Sequence, residues 1–290
     1  ATGGPQRPPA EAPAAAPTQL TGTLAKVRET GSVALGYRAS SVPFSYLDAR
    51  QEPIGYSVEL CKALVVSMGA AVHRELHIHW VPVTSETRLD AVAGGQVDLE
   101  CGSTTSNLER QKRVAFSPII FVAGTKVLVK KGSPIRDFRD LAGKTVSVTR
   151  GTTNEKAVRD LSDKFKLGIR LEGAADHAEG FAQLVRGQVD AFASDDVLLH
   201  GLVTQHAAKT EFVVVGDYLS YDPYGVMFRK DDPQLAQVVK DSFQAMAANG
   251  EIERQYKRWF LSRLPTGGSI GLPMSAQLES IIQAMAVRAQ

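Results

Sequence analysis

Small hydroxyl residues and an arginine follow one of the apolar segments that the sequence predicts as strands. Ser103, Thr104 and Thr105 come after the segment VDLEC, and Arg110 stands a few residues further along. Hydroxyls, backbone amides and one guanidinium together can hold a carboxylate, because the planar arginine fork matches the two carboxylate oxygens. An ordinary surface loop could have the same composition.

The same combination recurs at three other predicted strand ends. Arg38 follows VALGY, Ser85 and Arg88 follow WVPV, and Thr152 and Thr153 follow TVSVT at the start of a predicted helix. A helix N-terminus favours an anion, since its free amides and its dipole point toward that position. Each residue alone could be a helix cap or a solvated side chain. Three arginines, however, exceed what one carboxylate requires, so the set predicts an acidic small molecule with two carboxylates.

An amino group on such a ligand would need an acceptor, and the segment VDAFASDD provides two. We assign Asp195 to the ligand ammonium and Asp196 to the cap of the following helix. His177 opens another predicted helix, and its ring could donate to a carboxylate whether or not it carries a charge.

Alternating strands and helices must position these residues. The stretch from GSVALGYR to VDLECGS reads as strand, helix, strand, helix, strand, and the stretch from KVLVKKG to VDAFASD repeats the alternation. This order is typical of an α/β sheet, where ligands bind beyond the carboxyl ends of the strands. The similarity of AVAGGQVDLECGS to LVRGQVDAFASDD indicates two lobes of similar construction.

Composition excludes several other classes of function. The 290 residues are 43% hydrophobic and 22% charged, with a net charge of +2, which is ordinary for a globular protein. Interspersed charges give no sign of a nucleic-acid surface, and no apolar run approaches the ~20 residues of a membrane span. The histidines and cysteines lack the spacing of metal ligands. We therefore expect no nucleic-acid partner, no metal and no cofactor.

Two further features bear on the cellular compartment. Residues 1–19 are rich in Ala and Pro and are predicted to be a disordered spacer. Such a spacer is typical of an exported protein whose signal peptide has been removed, and a cytosolic tail is the alternative. Cys61 and Cys101 could be two buried thiols or, in an oxidising compartment, a disulfide.

The chain resembles the periplasmic solute-binding proteins of polar amino-acid ABC transporters, and in particular the glutamate/aspartate binders of Gram-negative bacteria. The likeness covers roughly residues 20–263 and rests on an ordered series: GYRASSVPFSYLD, GYSVELCKAL, VPVTSETRLDAV, GGQVDLECGSTTSNLERQKRVAFSPIIF, GTTNEKAV, DHAEGFAQL and YGVMFRKDDP. It implies an α/β fold of two Rossmann-like lobes joined by two crossover strands, a type II periplasmic binding protein of the Venus-flytrap kind. The lobes would close around one amino acid.

The resemblance also implies a role for each candidate residue. The ligand's side-chain carboxylate would lie against Arg38 and His177, and its ammonium against Asp195. The α-carboxylate would be held by the hydroxyl and arginine set of lobe 1 and the helix start of lobe 2: Ser85, Arg88, Ser103, Thr105, Arg110, Thr152 and Thr153. An aromatic ring often covers the ligand in this family, and Tyr37, Phe44 and Tyr46 are the candidates.

The implied organisation divides the chain into three parts. Residues 20–124 and 223–290 would form lobe 1, including a C-terminal helical tail, and residues 125–222 would form lobe 2. The crossovers are expected near Gly124–Thr125 and near Pro223–Gly225. The aromatic residues Tyr256, Trp259 and Phe260 are expected to pack in the core of lobe 1.

The implied function is ligand capture and delivery rather than catalysis. We expect a monomeric periplasmic protein that passes L-glutamate or L-aspartate to an ABC permease in the inner membrane. One alternative is an enzyme on the same fold, similar to cyclohexadienyl or arogenate dehydratases, with His177 or Glu100 as the acid. Another alternative is the ligand-binding sensor domain of a membrane receptor.

Overall fold

The computed structural model describes residues 3–9 and 19–289. Most of the predicted N-terminal spacer therefore lies outside the described residues, and residues 3–9 and 19 contain no helix or strand. Every helix in the described ranges falls short of the length and apolarity that crossing a membrane requires.

The first part of the chain contains four helices and eight strands. In chain order they are α1 (Gly22–Thr30), β1 (Ser32–Tyr37), β2 (Ser40–Ser41), β3 (Ser45–Leu47), β4 (Pro53–Ile54), α2 (Tyr56–Val72), β5 (His77–Pro82), α3 (Arg88–Ala93), β6 (Leu99–Glu100), α4 (Leu108–Gln111), β7 (Val114–Phe116) and β8 (Phe121–Ala123).

The remainder begins with a second run of alternating elements. These are β9 (Thr125–Lys130), a 3-10 turn (Phe138–Leu141), β10 (Thr145–Thr149), α5 (Thr153–Phe165), β11 (Arg170–Ala174), α6 (His177–Val185), β12 (Ala191–Asp195), α7 (Asp196–Gln205) and β13 (Phe212–Val215). The chain ends with β14 (Asp222–Tyr224), β15 (Met227–Arg229), α8 (Pro233–Ala248), α9 (Glu251–Tyr256), a π-helical turn (Lys257–Leu261) and α10 (Ala276–Arg288).

Two five-stranded sheets form the centres of the two lobes, as predicted. The lobe 1 sheet has the order β5-β1-β6-β15-β7, and the lobe 2 sheet has the order β11-β10-β12-β9-β13. In each sheet four strands run in the same direction, and one strand, β15 in lobe 1 and β9 in lobe 2, runs antiparallel to its neighbours. The parallel strands of each lobe end at one edge of the sheet, and this edge carries the candidate site residues.

Helix α2 shows how the sequence pattern produces the packing of lobe 1. Its buried residues include Val58, Cys61, Leu64 and Met68, three or four positions apart along one face. That spacing places them on a single stripe, which packs against α8 and β1. The predicted aromatic packing is confirmed, since Tyr256, Trp259 and Phe260 are buried in the same core.

Two short strands connect the lobes. Strand β8 leads into lobe 2 and β14 leads out of it, and the two pair antiparallel with Asp222 opposite Ala123. The sequence predicts a single strand over DPYGVMFRK, but the segment is split into β14 and β15, because the chain leaves the connection before it enters the lobe 1 sheet. These connections support the proposed division of the chain at 124/125 and 222/223.

A disulfide joins Cys61 in α2 to Cys101 just after β6, with the two Cα atoms 6.2 Å apart. The question that the sequence left open is therefore answered in favour of the bond. The bond attaches the loop that begins at Gly102 to helix α2. This loop contains the hydroxyl run, which consists of Ser103, Thr104 and Thr105.

The C-terminal segment, residues 262–289, touches both lobes. Helix α10 packs on α8, as expected for the tail. Ahead of this helix, the carbonyl oxygen of Ser269 accepts a hydrogen bond of 2.5 Å from Nζ of Lys209 in lobe 2. Ile270 lies in a small cavity with His200 and Phe212, which are also lobe 2 residues.

Candidate functional site

A small cavity lies between the two lobes, where the strand ends of both sheets meet. It is lined by residues from both lobes: Arg88, Ser103, Thr105, Thr152, Thr153, Asn154, His177, Asp195 and Leu198. The structure therefore brings together seven of the ten predicted site residues on this wall. The other three, Arg38, Ser85 and Arg110, are not among the residues that line the cavity.

Arg38 is the residue directly after β1, and its side chain is almost completely buried, with 1% exposed. Both terminal nitrogens, Nη1 and Nη2, have no hydrogen-bond partner in the part of the chain that the structure describes. Burial and the neighbouring Arg88 lower the pKa of Arg38 to about 10, so the group stays charged at neutral pH. A buried charged fork with free donors is a strong binding element for a carboxylate.

Arg88 opens α3 and belongs to a buried polar chain. Its Nη1 donates to Oγ1 of Thr104 at 2.9 Å, and that hydroxyl donates to Oε2 of Glu100 at 2.8 Å. Burial raises the pKa of Glu100, while Arg88, Thr104 and Arg38 act in the opposite direction. Glu100 is thus the buried acidic group beneath the arginines, and Nε of Arg88 has no partner among the described residues.

Arg110 belongs to lobe 1, and its side chain reaches lobe 2. It lies in α4, whose first turn is capped by the side chain of Asn107, and its Nη1 donates to the carbonyl oxygen of Thr105 at 2.8 Å. Its Nη2 approaches the carbonyl oxygen of Gly151 in lobe 2 at 3.4 Å. Burial and the charge of Arg88 lower its pKa to about 9.

The lobe 1 hydroxyls differ in whether they already form a hydrogen bond within the protein. Oγ of Ser85 is buried and has no hydrogen-bond partner among the described residues. Oγ of Ser103 donates to Oγ of Ser41 at 3.1 Å. Thr105 forms an isolated β-bridge with Tyr224 of β14, which ties the hydroxyl run to the second crossover strand.

Lobe 2 contributes the start of α5. Oγ1 of Thr152 accepts a hydrogen bond from the amide of Glu155 and donates one to the carbonyl oxygen of Thr149. The hydroxyl is therefore occupied by the helix cap, and the backbone amides of the helix start are left for an anion. Gly151 comes close to lobe 1, since a Cβ atom there would lie 3.0 Å from the carbonyl oxygen of Ser85.

His177 is the first residue of α6 and is 2% exposed. Its Nδ1 lies 2.8 Å from Oγ1 of Thr149. Burial, followed by the charges of Arg38 and Arg88, lowers its pKa well below the usual value, so the ring is neutral at neutral pH. A neutral ring held through one nitrogen can present the other nitrogen to a ligand.

Asp195 ends β12 and is 3% exposed. Oδ1 accepts a hydrogen bond of 2.8 Å from Nδ2 of Asn154, and Oδ2 accepts one from the hydroxyl of Tyr224. Burial, and then the nearby carboxyl of Asp222, raise the pKa of Asp195 to about 7. The carboxyl is the acidic group on the cavity wall.

The predicted role of Asp196 as a helix cap is wrong. Helix α7 begins at Asp196 itself, and the residue in the N-cap position is Asp195, whose side chain makes no capping hydrogen bond. Oδ2 of Asp196 instead accepts from the hydroxyl of Tyr218 at 2.8 Å, beside the first crossover. A side chain inside the first turn is badly placed to cap that turn.

None of the three candidate aromatic rings lines the cavity. Phe44 and Tyr46 are fully buried in the core of lobe 1, and Tyr37 packs edge-on against Trp80. The apolar side chain on the cavity wall is Leu198 of α7. The expectation of a ring over the ligand is thus not met by any of these residues.

Several residues around the site were not assigned to it from the sequence. Asn154, Tyr224 and Leu198 lie inside segments that read as ordinary helix or strand. Thr104 was named as one of the hydroxyl residues after VDLEC but without a role of its own, and Glu100 was named as an acid for the alternative enzyme. In the ranges that the structure describes, no group of three or more His, Cys, Asp and Glu side chains is arranged to hold a metal ion.

A family model described as bacterial extracellular solute-binding proteins, family 3, matches residues 33–262. The chain is 42% identical over 267 residues to an L-glutamate/L-aspartate-binding protein of Pseudomonas aeruginosa, covering 91% of this chain and 88% of that protein. It is 40% identical over 244 residues to a glutamate/aspartate import solute-binding protein of Escherichia coli, covering 84% of this chain and 81% of the relative.

Solved structures show the same architecture. The P235GK mutant of ArgBP from T. maritima is similar with a TM-score of 0.74 and 26% identity, covering 82% of this chain and 99% of that one. An ancestral amino acid-binding protein, AncCDT-1, described as a precursor of cyclohexadienyl dehydratase, has a TM-score of 0.71 and 29% identity, covering 82% and 99%.

Proposed function

The chain belongs to the bacterial extracellular solute-binding proteins of family 3, and from this premise we propose that it captures L-glutamate or L-aspartate by closure of its two lobes. Like its curated relatives, it is a binding protein and not an enzyme. The relatives named for these two amino acids match it at 38–42% identity, whereas those named for glutamine match at 27–30%.

One observation carries the choice of an acidic ligand. The fully buried guanidinium of Arg38 has two nitrogens without a partner among the described residues, and it lies beside the neutral ring of His177. A buried cation with free donors is costly unless it is paired. A second carboxylate on the ligand would supply that pairing, and the side chain of a neutral amino acid would not.

The remaining groups suit the amino-acid end of the ligand. Arg88, Arg110 and Ser85 would hold the α-carboxylate from lobe 1, together with the amides at the start of α5 in lobe 2. The carboxyl of Asp195 would accept from the α-ammonium. The hydroxyls of Ser103 and Thr105 complete the lobe 1 wall, and Leu198 lies against the aliphatic part.

Closure would bring the two halves of this site together. The lobes touch through Arg110 and Gly151, and the amide of Ala178 in lobe 2 donates to Oγ of Ser40 in lobe 1 at 3.3 Å. Because residues of both lobes line the cavity, we expect an amino acid to enter it when the lobes separate. The ligand then stabilises the closed form by bridging them.

The relatives also suggest the place and partner. Two of them are named as import solute-binding proteins for glutamate and aspartate. The chain accordingly acts outside the cytoplasm, and we place it in the periplasm as a monomer that delivers its ligand to an ABC permease in the inner membrane.

Isothermal calorimetry with L-glutamate, L-aspartate, L-glutamine and L-asparagine tests the proposal. We expect the two acidic amino acids to bind with micromolar or better affinity and both amides to bind more weakly. In Arg38→Met the preference for the acids should disappear. The matched control is Arg113→Met, which removes an exposed arginine that pairs with Asp90 on the surface. Tighter binding of an amide than of both acids would refute the proposal.

A further inference from the structure

Two buried carboxyl groups lie together at the point where the second crossover strand meets the site. Asp195 ends β12 and is 3% exposed, and Asp222 begins β14 and is 2% exposed. Among the described residues, neither has a cationic nitrogen within the 4.0 Å of an ion pair. Two buried carboxylates without such a partner are unfavourable as a doubly charged pair.

A chain of hydrogen bonds connects the two carboxyls. Oδ2 of Asp222 accepts from Oγ of Ser220 at 2.5 Å, and this hydroxyl lies 2.6 Å from Oγ1 of Thr125 at the first crossover. Nδ2 of Asn154 donates both to Oγ1 of Thr125 at 2.7 Å and to Oδ1 of Asp195 at 2.8 Å. The network joins both crossovers to the carboxyl that faces the ligand.

The other oxygen of Asp195 accepts from the hydroxyl of Tyr224, which belongs to the same crossover strand as Asp222. Asp222 raises the pKa of Asp195 both through its charge and as a hydrogen-bond partner, next to the larger effect of burial. The hydrogen bonds from Tyr224 and Asn154 act in the opposite direction.

Further charged groups lie on the elements that surround the two carboxyls. Arg88 on α3 and Arg110 on α4 face the pair from lobe 1, and both interact with Asp195 without pairing with it. Asp196 on α7 adds a further negative charge near Tyr224. His177 on α6 shares the cavity wall.

We propose that Asp195 and Asp222 form a carboxyl pair that holds one proton in the unliganded protein and releases it when the ammonium group of the ligand binds. The inference rests on the proposed function, because it requires an ammonium group at Asp195. The proton passes to solvent, and the positive charge of the ammonium takes its place. The summed charge of the two carboxyls and the group bound to them is therefore unchanged by binding.

This exchange has a definite sign and pH range. At pH 6 the pair is protonated, and binding should release about one proton; near pH 7 the release should be about half, and above pH 8.5 it should approach zero. The affinity should fall by up to about tenfold for each pH unit below 7. If a ligand carboxylate stabilised a protonated His177, the ring would take a proton from solvent, and the sign would be the opposite, proton uptake.

Calorimetric titration of the intact chain with L-glutamate in PIPES and in imidazole measures the proton count, since these buffers differ in ionisation enthalpy. Asp222→Asn keeps the shape of the side chain and removes the like charge. It should abolish most of the release near pH 6.5 and flatten the pH dependence of Kd. Tyr224→Phe removes a donor to Asp195 and should shift the profile to higher pH.

Two control variants separate proton release by the carboxyl pair from a general structural effect of the substitutions. Asp196→Asn removes a neighbouring buried carboxyl outside the pair and should leave the proton count unchanged, and release should persist in His177→Gln. Shifts in opposite directions for Asp222→Asn and Tyr224→Phe support the pair, because a loss of packing would not move the profile both ways.

The outcomes are distinguishable. Binding of glutamate without proton release between pH 6 and 8, or equal release in Asp222→Asn, overturns the carboxyl pair and leaves the proposed function intact. Absence of binding overturns the proposed function, and infrared titration of the unliganded chain then decides on the pair. A protonated-carboxyl band should disappear near pH 7 in the parent protein and at lower pH in Asp222→Asn; no such difference refutes the pair.

Discussion

The two walls of the cavity are built on different electrostatic principles. On the lobe 1 side Arg88 lines the cavity, and Arg38, Arg110 and the buried carboxyl of Glu100 lie around it. The lobe 2 wall carries a neutral histidine, one helix start and Asp195. An open lobe 1 would thus attract an acidic ligand by charge, and lobe 2 would complete the hydrogen bonds after closure. Under the proposed function, lobe 1 would provide the charge attraction and lobe 2 the acceptor for the ligand ammonium.

The largest expected loss of affinity comes from a substitution in lobe 1. Arg88→Met should weaken binding of L-glutamate by about 3–5 kcal/mol, because it removes a buried cation and leaves Glu100 without its bridge through Thr104. Calorimetry measures the loss, and circular dichroism with thermal unfolding checks that the variant folds. A folded variant that retains the parental Kd would contradict the assignment of charge attraction to lobe 1.

On lobe 2, Asp195→Asn should weaken binding by about 2–4 kcal/mol, because the ammonium loses its charged acceptor. The same change should raise the stability of the unliganded chain. The pKa of Asp195 is raised from 3.8 to about 7, so the free energy of unfolding falls as the pH rises from about 4 to about 7, and the uncharged amide avoids this loss.

Thermal unfolding of both proteins at pH 5 and pH 8 checks the sign. The variant should gain Tm relative to the parent at pH 8 and gain little at pH 5. A gain that is larger at pH 5 would show that Asp195 is ionised without strain in the folded protein.

His177→Gln should have a smaller effect, about 1–2 kcal/mol on the affinity for L-glutamate. The ring is neutral, so its loss removes a hydrogen bond and not a charge. The useful readout is the ratio of the glutamate and glutamine affinities, which should fall while the affinity for glutamine changes little. An equal loss for both amino acids would place His177 at the α-carboxylate end instead.

The smallest effect is expected for the exposed pair between the lobes. Nε of Arg150 in lobe 2 lies 3.0 Å from Oε1 of Glu86 in lobe 1, with both side chains about half exposed. Arg150→Ala should change the affinity by less than about 1 kcal/mol, mainly through faster release, and high salt should abolish the difference. Stopped-flow release rates at low and high ionic strength measure this.

The sequence predicted those site residues whose position follows from one rule, that ligands bind at the carboxyl ends of parallel strands. Ser103, Thr152 and Asp195 were identified because each follows a strand, and parallel strand ends meet at one edge of a sheet. The order of the segments indicated two lobes for the same reason. These residues required no knowledge of distances.

Other contributors depend on packing between distant segments. Tyr224 reads as a core residue of a strand, and only the pairing of the crossover strands places its hydroxyl at Asp195. Asn154 reads as a solvated residue in the first turn of a helix, yet it bridges Asp195 and Thr125. The sequence predicts Phe44 and Tyr46 in a loop near the site, but Tyr46 belongs to β3 and both rings are buried in the core of lobe 1.

The contacts of the C-terminal segment have a consequence for affinity. Opening the cleft moves lobe 2 relative to lobe 1, and it must disturb the hydrogen bond from Lys209 to Ser269 and the packing of Gly268 against Thr204. These contacts lie away from the candidate site, so they would contribute to the fraction of the chain that is closed before binding. Because apparent affinity scales with that fraction, two relatives with identical sites can differ in affinity through their tails alone.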